Sequence, residues 1–304
     1  MSRRLLVLAV LTAVAAVTVA QEPAAEPAQS QTVARTTGIV DRPQQPIYSD
    51  LYCAGFITPE AISNNVFVAG GRATPLQVRF VEREYVYLSG SGFEVGSRYT
   101  ILRRLRDPNK HESFPGQRKL LRKAGQPYAE LGRVRVIGTK GNIAITEVEF
   151  SCSDIVGGDL AVPFAEKPQV AFRGTTTFDR FAAPNGKLTG RIVMAKEFDT
   201  MVGAERTVYL NVGANQGVKA GDYFRAYRTY DLVRKHEADS LSFHASTTED
   251  TQKDPPSFPR SRLGDFPRIS LGEMLVMQVT PTSSTALVTL SIEDIQVGDG
   301  VELE

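Results

Sequence analysis

The feature that most constrains the fold is an internal repeat that covers most of the chain. Residues 131–164 and 271–304 align without a gap and share Leu-Gly, two valines, a serine, Asp-Ile and Gly-Asp at the same spacings. Upstream, residues 85–103 match residues 207–228 once a three-residue insertion is allowed in the turn of the second copy. Because a solenoid needs at least about three units, two copies indicate a domain duplication instead.

Each half consists mainly of short β-type segments. Runs such as "EYVYLSG" (84–90), "NIAITEVEF" (142–150) and "GEMLVMQVT" (272–280) are rich in β-branched and aromatic residues, and turn-forming residues bound them. Closing such strands into a barrel removes the exposed edges of the sheet. We therefore predict an all-β protein built from two duplicated, small, barrel-like units, residues 47–168 and 169–304.

Three Gly-Asp pairs are expected to form structural turns: Gly158-Asp159, Gly221-Asp222 and Gly298-Asp299. Glycine adopts positive φ without a steric penalty, and an aspartate carboxylate accepts hydrogen bonds from backbone amides of the turn. Ile155 and Ile295 precede two of these pairs and are expected to be buried. We interpret the three aspartates as turn residues and not as catalytic groups.

The N-terminus is typical of an export signal. Two arginines are followed by an uncharged run from Leu5 to Ala20, which is shorter than the roughly twenty residues of a bilayer span. Residues 1–20 are therefore predicted to be a cleaved secretory signal, with an uncleaved anchor as the alternative. Residues 2–6 also resemble a twin-arginine signal, so the export route stays open. Residues 21–46, rich in Pro, Ala and Gln, are predicted to be a disordered tether.

The charge balance argues against a nucleic-acid partner. Removing the two arginines of the predicted signal changes the net charge from +1 to −1. A chain so close to neutral has no overall field that would hold a polyanion. The sequence contains no second long apolar run, so no transmembrane span is expected in the mature chain.

The two cysteines, Cys53 and Cys152, are predicted to form a disulfide, because an exported chain with an even cysteine count usually pairs them. Two separate buried thiols and a redox-active pair are the alternatives. A redox-active pair usually has the closer C-x-x-C spacing.

The repeat is interrupted by an insert in each half. The first insert, residues 103–130, is basic, and the second, residues 231–268, is long, polar and expected to be flexible. Arginine and lysine suit carboxylates and phosphates, which peptidoglycan stems, lipopolysaccharide and acidic proteins all present. The candidate anion-binding residues are Arg118, Lys119, Arg122 and Lys123, and a solvated charged loop is the alternative interpretation.

No residue pattern predicts catalysis or a cofactor. His111, His236 and His244 lie in the inserts without the spacing of metal ligands, so no metal site is predicted. Glu147 and Glu149 share one face of a strand, which an exposed sheet face explains. The sequence contains no nucleophile–base arrangement of a known type.

A resemblance to a cell-envelope family adds to this interpretation. Residues 190–228 contain the turn glycines Gly213, Gly217 and Gly221, and "LGEMLVMQV" and "IEDIQVGDGVELE" follow them. This order resembles the C-terminal β-rich region of exported LysM-type peptidoglycan-binding proteins, and it is similar to the C-terminal domain of FlgT-type flagellar assembly proteins. The likeness covers roughly 85–164 and 188–304, whereas the LysM module itself is absent.

The resemblance implies an envelope location and a β-rich module used for attachment or assembly. We therefore expect an exported protein of the periplasm or the outer-membrane periphery that binds peptidoglycan or envelope proteins without catalysis. The alternative is an assembly component of a secretion, pilus or flagellar system. A hydrolase with a site across the two units is the least favoured. The sequence leaves the ligand, the partner and the oligomeric state open.

Overall fold

The computed structural model describes residues 45–74, 76–174, 177–229 and 265–304. The predicted signal peptide lies outside the described residues, as do all but the last two residues of the predicted tether. Of the predicted flexible insert, only the last four residues are described, so His236 and His244 are outside as well.

The described part of the first half contains two short helices and nine strands. They are α1 (Tyr48–Tyr52), β1 (Phe56–Thr58), β2 (Phe67–Gly71), β3 (Arg79–Phe80), β4 (Tyr85–Ser89), β5 (Arg98–Arg104), α2 (Gln117–Ala124), β6 (Gln126–Lys140), β7 (Ile143–Ser151), β8 (Ile155–Val156) and β9 (Leu160–Pro163).

The described part of the second half contains eight strands and two 3₁₀ turns, Lys196–Phe198 and Ala214–Gln216. The strands are β10 (Thr189–Ala195), β11 (Met201–Val202), β12 (Thr207–Leu210), β13 (Tyr223–Arg228), β14 (Ile269–Val279), β15 (Ser284–Ser291), β16 (Ile295–Gln296) and β17 (Gly300–Leu303).

Six strands of each half close into an antiparallel barrel. Barrel 1 runs in the order β6-β5-β9-β2-β4-β7 and returns to β6, and β1 adds to β6 as a seventh strand. Barrel 2 runs in the order β14-β13-β17-β10-β12-β15 and returns to β14. When only the six barrel strands of each half are numbered in chain order, both barrels have the order 4-3-6-1-2-5. The prediction of an all-β fold with two barrel-like units is confirmed.

The strand register shows the duplication at the level of single residues. Gly132 on β6 pairs with Ser151 on β7, and Gly272 on β14 pairs with Ser291 on β15. In both ladders the register then shifts directly after the next residue, through a bulge. Residues that align in the two repeats therefore have the same strand register, and the β-bulges fall at the same aligned positions.

The repeated Leu-Gly pair has a steric reason. A Cβ atom on Gly132 would lie 2.3 Å from the carbonyl oxygen of Phe150, and one on Gly272 would lie 2.1 Å from that of Leu290. Both distances are far inside van der Waals contact, so only glycine fits at this crossing of two strands.

Each barrel encloses its own apolar core. The core of barrel 1 includes Val68, Phe80, Val86, Leu88, Ile101, Val134, Val148 and Ile155. The core of barrel 2 includes Ile192, Val208, Leu210, Phe224, Leu271, Met274, Val288 and Ile295. Ile155 and Ile295, expected to be buried from the sequence, are both inaccessible to solvent. The described residues as a whole belong to one compact unit.

Candidate functional site

The Gly-Asp pairs form turns, and their aspartates bond the turn backbone. Gly158 has φ 93° and Gly298 has φ 106°, both in the region that favours glycine. Asp159 Oδ2 accepts the N–H of Val156, and Asp299 Oδ2 accepts the N–H of Gln296, each at 2.7 Å. In the third pair, Gly221 has φ 96° and Asp222 Oδ2 accepts the N–H of Lys219 at 2.8 Å.

In two of these turns, the aspartate carboxylate accepts a pair of hydrogen bonds from an arginine, a different arginine in each turn. Arg103 donates from Nε and Nη2 to the two carboxylate oxygens of Asp159 at 2.8 and 2.7 Å. Arg228 donates in the same way to Asp299, at 3.1 Å in both bonds. The sequence interpretation assigned Arg103 to the basic insert and missed this role. Arg103 and Arg228 occupy matching positions in the aligned repeats, which is the signal that could have revealed it.

A disulfide attaches the N-terminal segment to barrel 1. Cys53 and Cys152 are bonded, with their Cα atoms 5.5 Å apart, so the predicted pairing is confirmed. Cys53 directly follows α1, and Cys152 directly follows β7. The segment 53–58, which includes β1, is thereby fixed against the end of a barrel strand.

The segment 53–58 lies between the two barrels. On one side, β1 pairs with β6 of barrel 1. On the other side, hydroxyl groups of barrel 2 donate to its carbonyl oxygens: Tyr209 to Ala54 (2.7 Å), Thr285 to Gly55 (3.0 Å) and Ser283 to Ile57 (2.7 Å). We call this contact region the seam. Burial there raises the pKa of Tyr209 above its ordinary value.

A buried ion pair stabilises the seam. Lys167 Nζ lies 2.7 Å from Glu130 Oε2, and it also donates to Leu51 O at 2.6 Å and to Gln278 Oε1 at 2.9 Å. Glu130 Oε2 accepts the N–H of Gly55 at 3.0 Å. Burial raises the pKa of Glu130 and lowers the pKa of Lys167, while the attraction between the two groups opposes both shifts.

A cleft of about 300 Å³ opens beside the disulfide at the junction of the barrels. Its charged lining residues are Asp50, Lys196, Glu197, Asp199, Glu205 and Arg206. Burial raises the pKa of Asp50, and Glu205 adds to this rise, whereas the Ile47 N–H and the Lys196 ammonium oppose it. The lining carries both signs of charge, so the cleft suits a small polar group. Asp50 lies far in the sequence from Glu197, Asp199 and Glu205, so the sequence alone did not bring the four acidic residues together.

The four predicted anion-binding residues lie together on one helix. Arg118, Lys119, Arg122 and Lys123 belong to α2 and are all exposed. Residues four apart on a helix share a face, so 118 lies beside 122 and 119 beside 123. The sequence analysis predicted no helix here and named a solvated charged loop as the alternative to an anion-binding site. The other side of the helix explains the difference, since Leu120, Leu121 and Ala124 pack against residues of barrel 2.

Both ends of α2 are bonded to barrel 2. Near its start, Gln117 Nε2 donates to the carbonyl oxygen of Val193 at 3.0 Å, and at its end Thr282 Oγ1 donates to that of Ala124 at 2.6 Å. The Glu112 carboxylate accepts the N–H groups of Gly116 (3.1 Å) and Arg118 (2.8 Å), and these bonds lower the pKa of Glu112. The cationic face is therefore held in a fixed position.

The other residues considered in the sequence analysis, Glu147, Glu149 and His111, lie in ion pairs or are exposed to solvent. Glu149 pairs with Arg98, Arg133 and Arg135 at 3.0 to 3.2 Å, and Glu147 lies 3.5 Å from Arg135, on the outer face of barrel 1. His111 is exposed. Within the described ranges, no group of three or more His, Cys, Asp or Glu residues could hold a metal ion.

Comparison of the chain with models of known protein families finds no match, and comparison with curated proteins finds none either. Among the residues that the structure describes, no helix has the length and apolar character needed to cross a membrane.

Proposed function

We propose that the protein is a non-catalytic module of the bacterial cell envelope that binds an anionic envelope polymer through α2. Peptidoglycan, with its stem carboxylates, is the preferred ligand, and the periplasm or the outer-membrane periphery is the preferred location. The observation that carries the proposal is the cationic face of Arg118, Lys119, Arg122 and Lys123, which is exposed while both ends of the helix are bonded to barrel 2.

The physical argument rests on rigidity and charge. A fixed cationic surface loses less conformational entropy on binding than a flexible loop would lose. Arginine forks can bind carboxylate or phosphate oxygens in pairs. The disulfide is consistent with an oxidising compartment outside the cytosol.

Co-sedimentation with purified sacculi tests the proposal. Changing Arg118, Lys119, Arg122 and Lys123 to Glu should weaken binding at least about tenfold, because the surface would then repel an anionic polymer. Wild-type binding should also fall as the salt concentration rises.

A matched control makes the same change of charge elsewhere. Four exposed cations away from α2 are suitable for replacement by Glu: Arg72, Lys140, Lys187 and Lys219. This control should bind sacculi like the wild type. Equal binding by wild type and the α2 variant would contradict the proposal. Recovery of a protein partner by cross-linking in the cell, with no binding to sacculi, would instead support the alternative role in a secretion, pilus or flagellar assembly.

A further inference from the structure

Phe114 belongs to the insert of barrel 1 but packs into barrel 2. Its ring covers Gly298, where an added Cβ would lie 2.7 Å from the ring. The guanidinium carbon of Arg191 lies 5.1 Å from the ring centroid. Three residues later, Gln117 bonds Val193 O. Phe114, Val193 and Gly298 are all buried. The insert of one barrel is therefore an arm that covers the other barrel.

Barrel 1 presents the counterpart of the covered surface. Gly298 donates its N–H to Ile192 O at 2.8 Å, and Gly158 donates its N–H to Val68 O at 2.8 Å. A β-bulge directly follows Ile192 on β10, and another directly follows Val68 on β2. The bulge residue on β2 is Ala69. The two turns and the two bulges are thus equivalent.

On barrel 1 this surface is open. Apart from Gly158 itself and its two chain neighbours, no atom of the described residues lies within 4 Å of the position that a Cβ on Gly158 would occupy. Three residues are exposed here although their counterparts in barrel 2 are buried: Gly157 for Val297, Gly158 for Gly298, and Ala69 for Val193.

The open surface is also apolar. Phe67, at the position equivalent to Arg191, is 37% exposed, and Val78 is 64% exposed. A cavity of about 310 Å³ lies here, lined in part by Ala69, Val78 and Gly157. We call the surface formed by Phe67, Ala69, Val78, Gly157 and Gly158 the β2 face. Thr74, Gln77 and Arg79 also line this cavity. Exposed apolar side chains beside a cavity mark an interaction site more often than isolated apolar residues do.

The chain contains a second copy of the segment that covers the counterpart surface. Phe114 stands in Ser113-Phe114-Pro115, and the insert of barrel 2 contains Ser257-Phe258-Pro259. The second tripeptide lies outside the described residues. Both tripeptides belong to the same insertion point, between the third and fourth strands of their barrels.

We propose that the β2 face binds the Ser257-Phe258-Pro259 segment of a second copy of this chain, with the Phe258 ring lying over Gly158. Within the chain, the arm of barrel 1 covers the next barrel and not its own. By the same relation, the insert of barrel 2, which contains Ser257-Phe258-Pro259, would cover barrel 1 of a second copy of the chain. Because the two contacting surfaces differ, the contact is head to tail and builds rings or filaments. This proposal does not depend on anion binding by α2.

Sedimentation velocity of the purified full chain over a range of concentrations tests the proposal. The wild type should form oligomers, and Phe258→Ala should raise the apparent Kd of self-association at least about tenfold, since a buried aromatic anchor is removed. Phe243→Ala, which changes another phenylalanine of the same insert, is the matched control and should associate like the wild type. On the β2 face, Ala69→Arg and Val78→Asp should abolish association, whereas Val95→Asp, at a 67% exposed position outside the face, should not.

Mixing two variants tests the head-to-tail geometry. Phe258→Ala keeps an intact β2 face, and Ala69→Arg keeps an intact Ser-Phe-Pro segment, so an equal mixture should form a one-to-one dimer and no larger species. A wild type that stays monomeric at every concentration overturns the proposal, including the case in which the segment folds back onto its own barrel. Association that persists in both Ala69→Arg and Val78→Asp, with unchanged circular dichroism, overturns it as well.

Discussion

Gly132 and Gly272 occupy points where an added Cβ would collide with a carbonyl oxygen of the hairpin partner. The Arg103–Asp159 and Arg228–Asp299 pairs hold the matching turns with the same atoms. At the residue scale, the duplication therefore retains the positions where backbone geometry or a buried carboxylate allows few substitutes. The apolar positions between them differ freely, as barrel cores of similar volume tolerate such changes.

Gly132→Ala should lower the free energy of unfolding by about 2–3 kcal/mol, because the new Cβ forces β6 away from Phe150 O. Gly272→Ala should behave alike in barrel 2. The control is Gly203→Ala, since no described atom beyond its two chain neighbours lies within 4 Å of its Cβ position, and the expected change is within about 0.5 kcal/mol. Urea denaturation measures all three, and wild-type stability in Gly132→Ala would disprove the steric argument.

At the scale of elements, α2 shows how one helix serves two purposes. Its apolar side fixes the first insert to barrel 2, and its cationic side faces solvent. Glu112 supports the first turn by accepting two backbone N–H groups that the helix itself leaves unpaired. This bond requires an ionised carboxylate for full strength.

Glu112 should titrate below the ordinary value of 4.5, and a carbon-detected NMR titration measures its pKa. A lowered pKa stabilises the fold above the ordinary value, and this contribution is lost as the pH falls through the lowered value. Glu112→Gln should speed hydrogen exchange of the Gly116 and Arg118 amides at neutral pH. Glu60→Gln, a change at another exposed glutamate, should leave both amides unchanged. Equal exchange in Glu112→Gln would contradict the capping role.

The sequence was informative where periodicity and turns were local. The strands and the Gly-Asp turns follow from residues close in the chain, and the disulfide follows from an even cysteine count. The duplication follows from the gapless alignment of residues 131–164 with 271–304. The helix α2 was missed because Leu120, Leu121 and Ala124 span little more than one turn, too short for a clear period. The strand β1 was missed because it has three residues and its burial depends on barrel 2. The β2 face required the comparison of two equivalent surfaces in three dimensions.

At the scale of the whole molecule, the seam joins two barrels that each have a separate core. The seam includes the buried ion pair of Glu130 and Lys167, in which Glu130 is only 6% exposed. Removing one partner of a buried pair leaves an uncompensated charge, which is more destabilising than removing both.

Lys167→Met should lower the free energy of unfolding by about 3 kcal/mol near neutral pH. Burial already raises the pKa of Glu130, and the loss of Lys167 raises it further. Below the ordinary value of 4.5, the Glu130 carboxyl is protonated in the folded and unfolded states alike. The decrease in the free energy of unfolding should therefore become smaller as the pH falls toward that value. The variant Lys167→Met/Glu130→Gln should recover most of the stability. Thermal unfolding across this pH range measures the effect, and a loss independent of pH would argue against it.

The hydroxyl bonds of the seam also set an order of events during biosynthesis. Ser283 and Thr285 bond carbonyl groups that lie 226 and 230 positions earlier in the chain. All strands of barrel 1 have been translated once Pro163 is reached, yet the donors for Ile57 and Gly55 come more than a hundred residues later. Contacts of such long range form slowly. The two barrels therefore become one body only when the last hairpin has formed, and until then the carbonyl groups of Gly55 and Ile57 lack their hydroxyl donors from barrel 2.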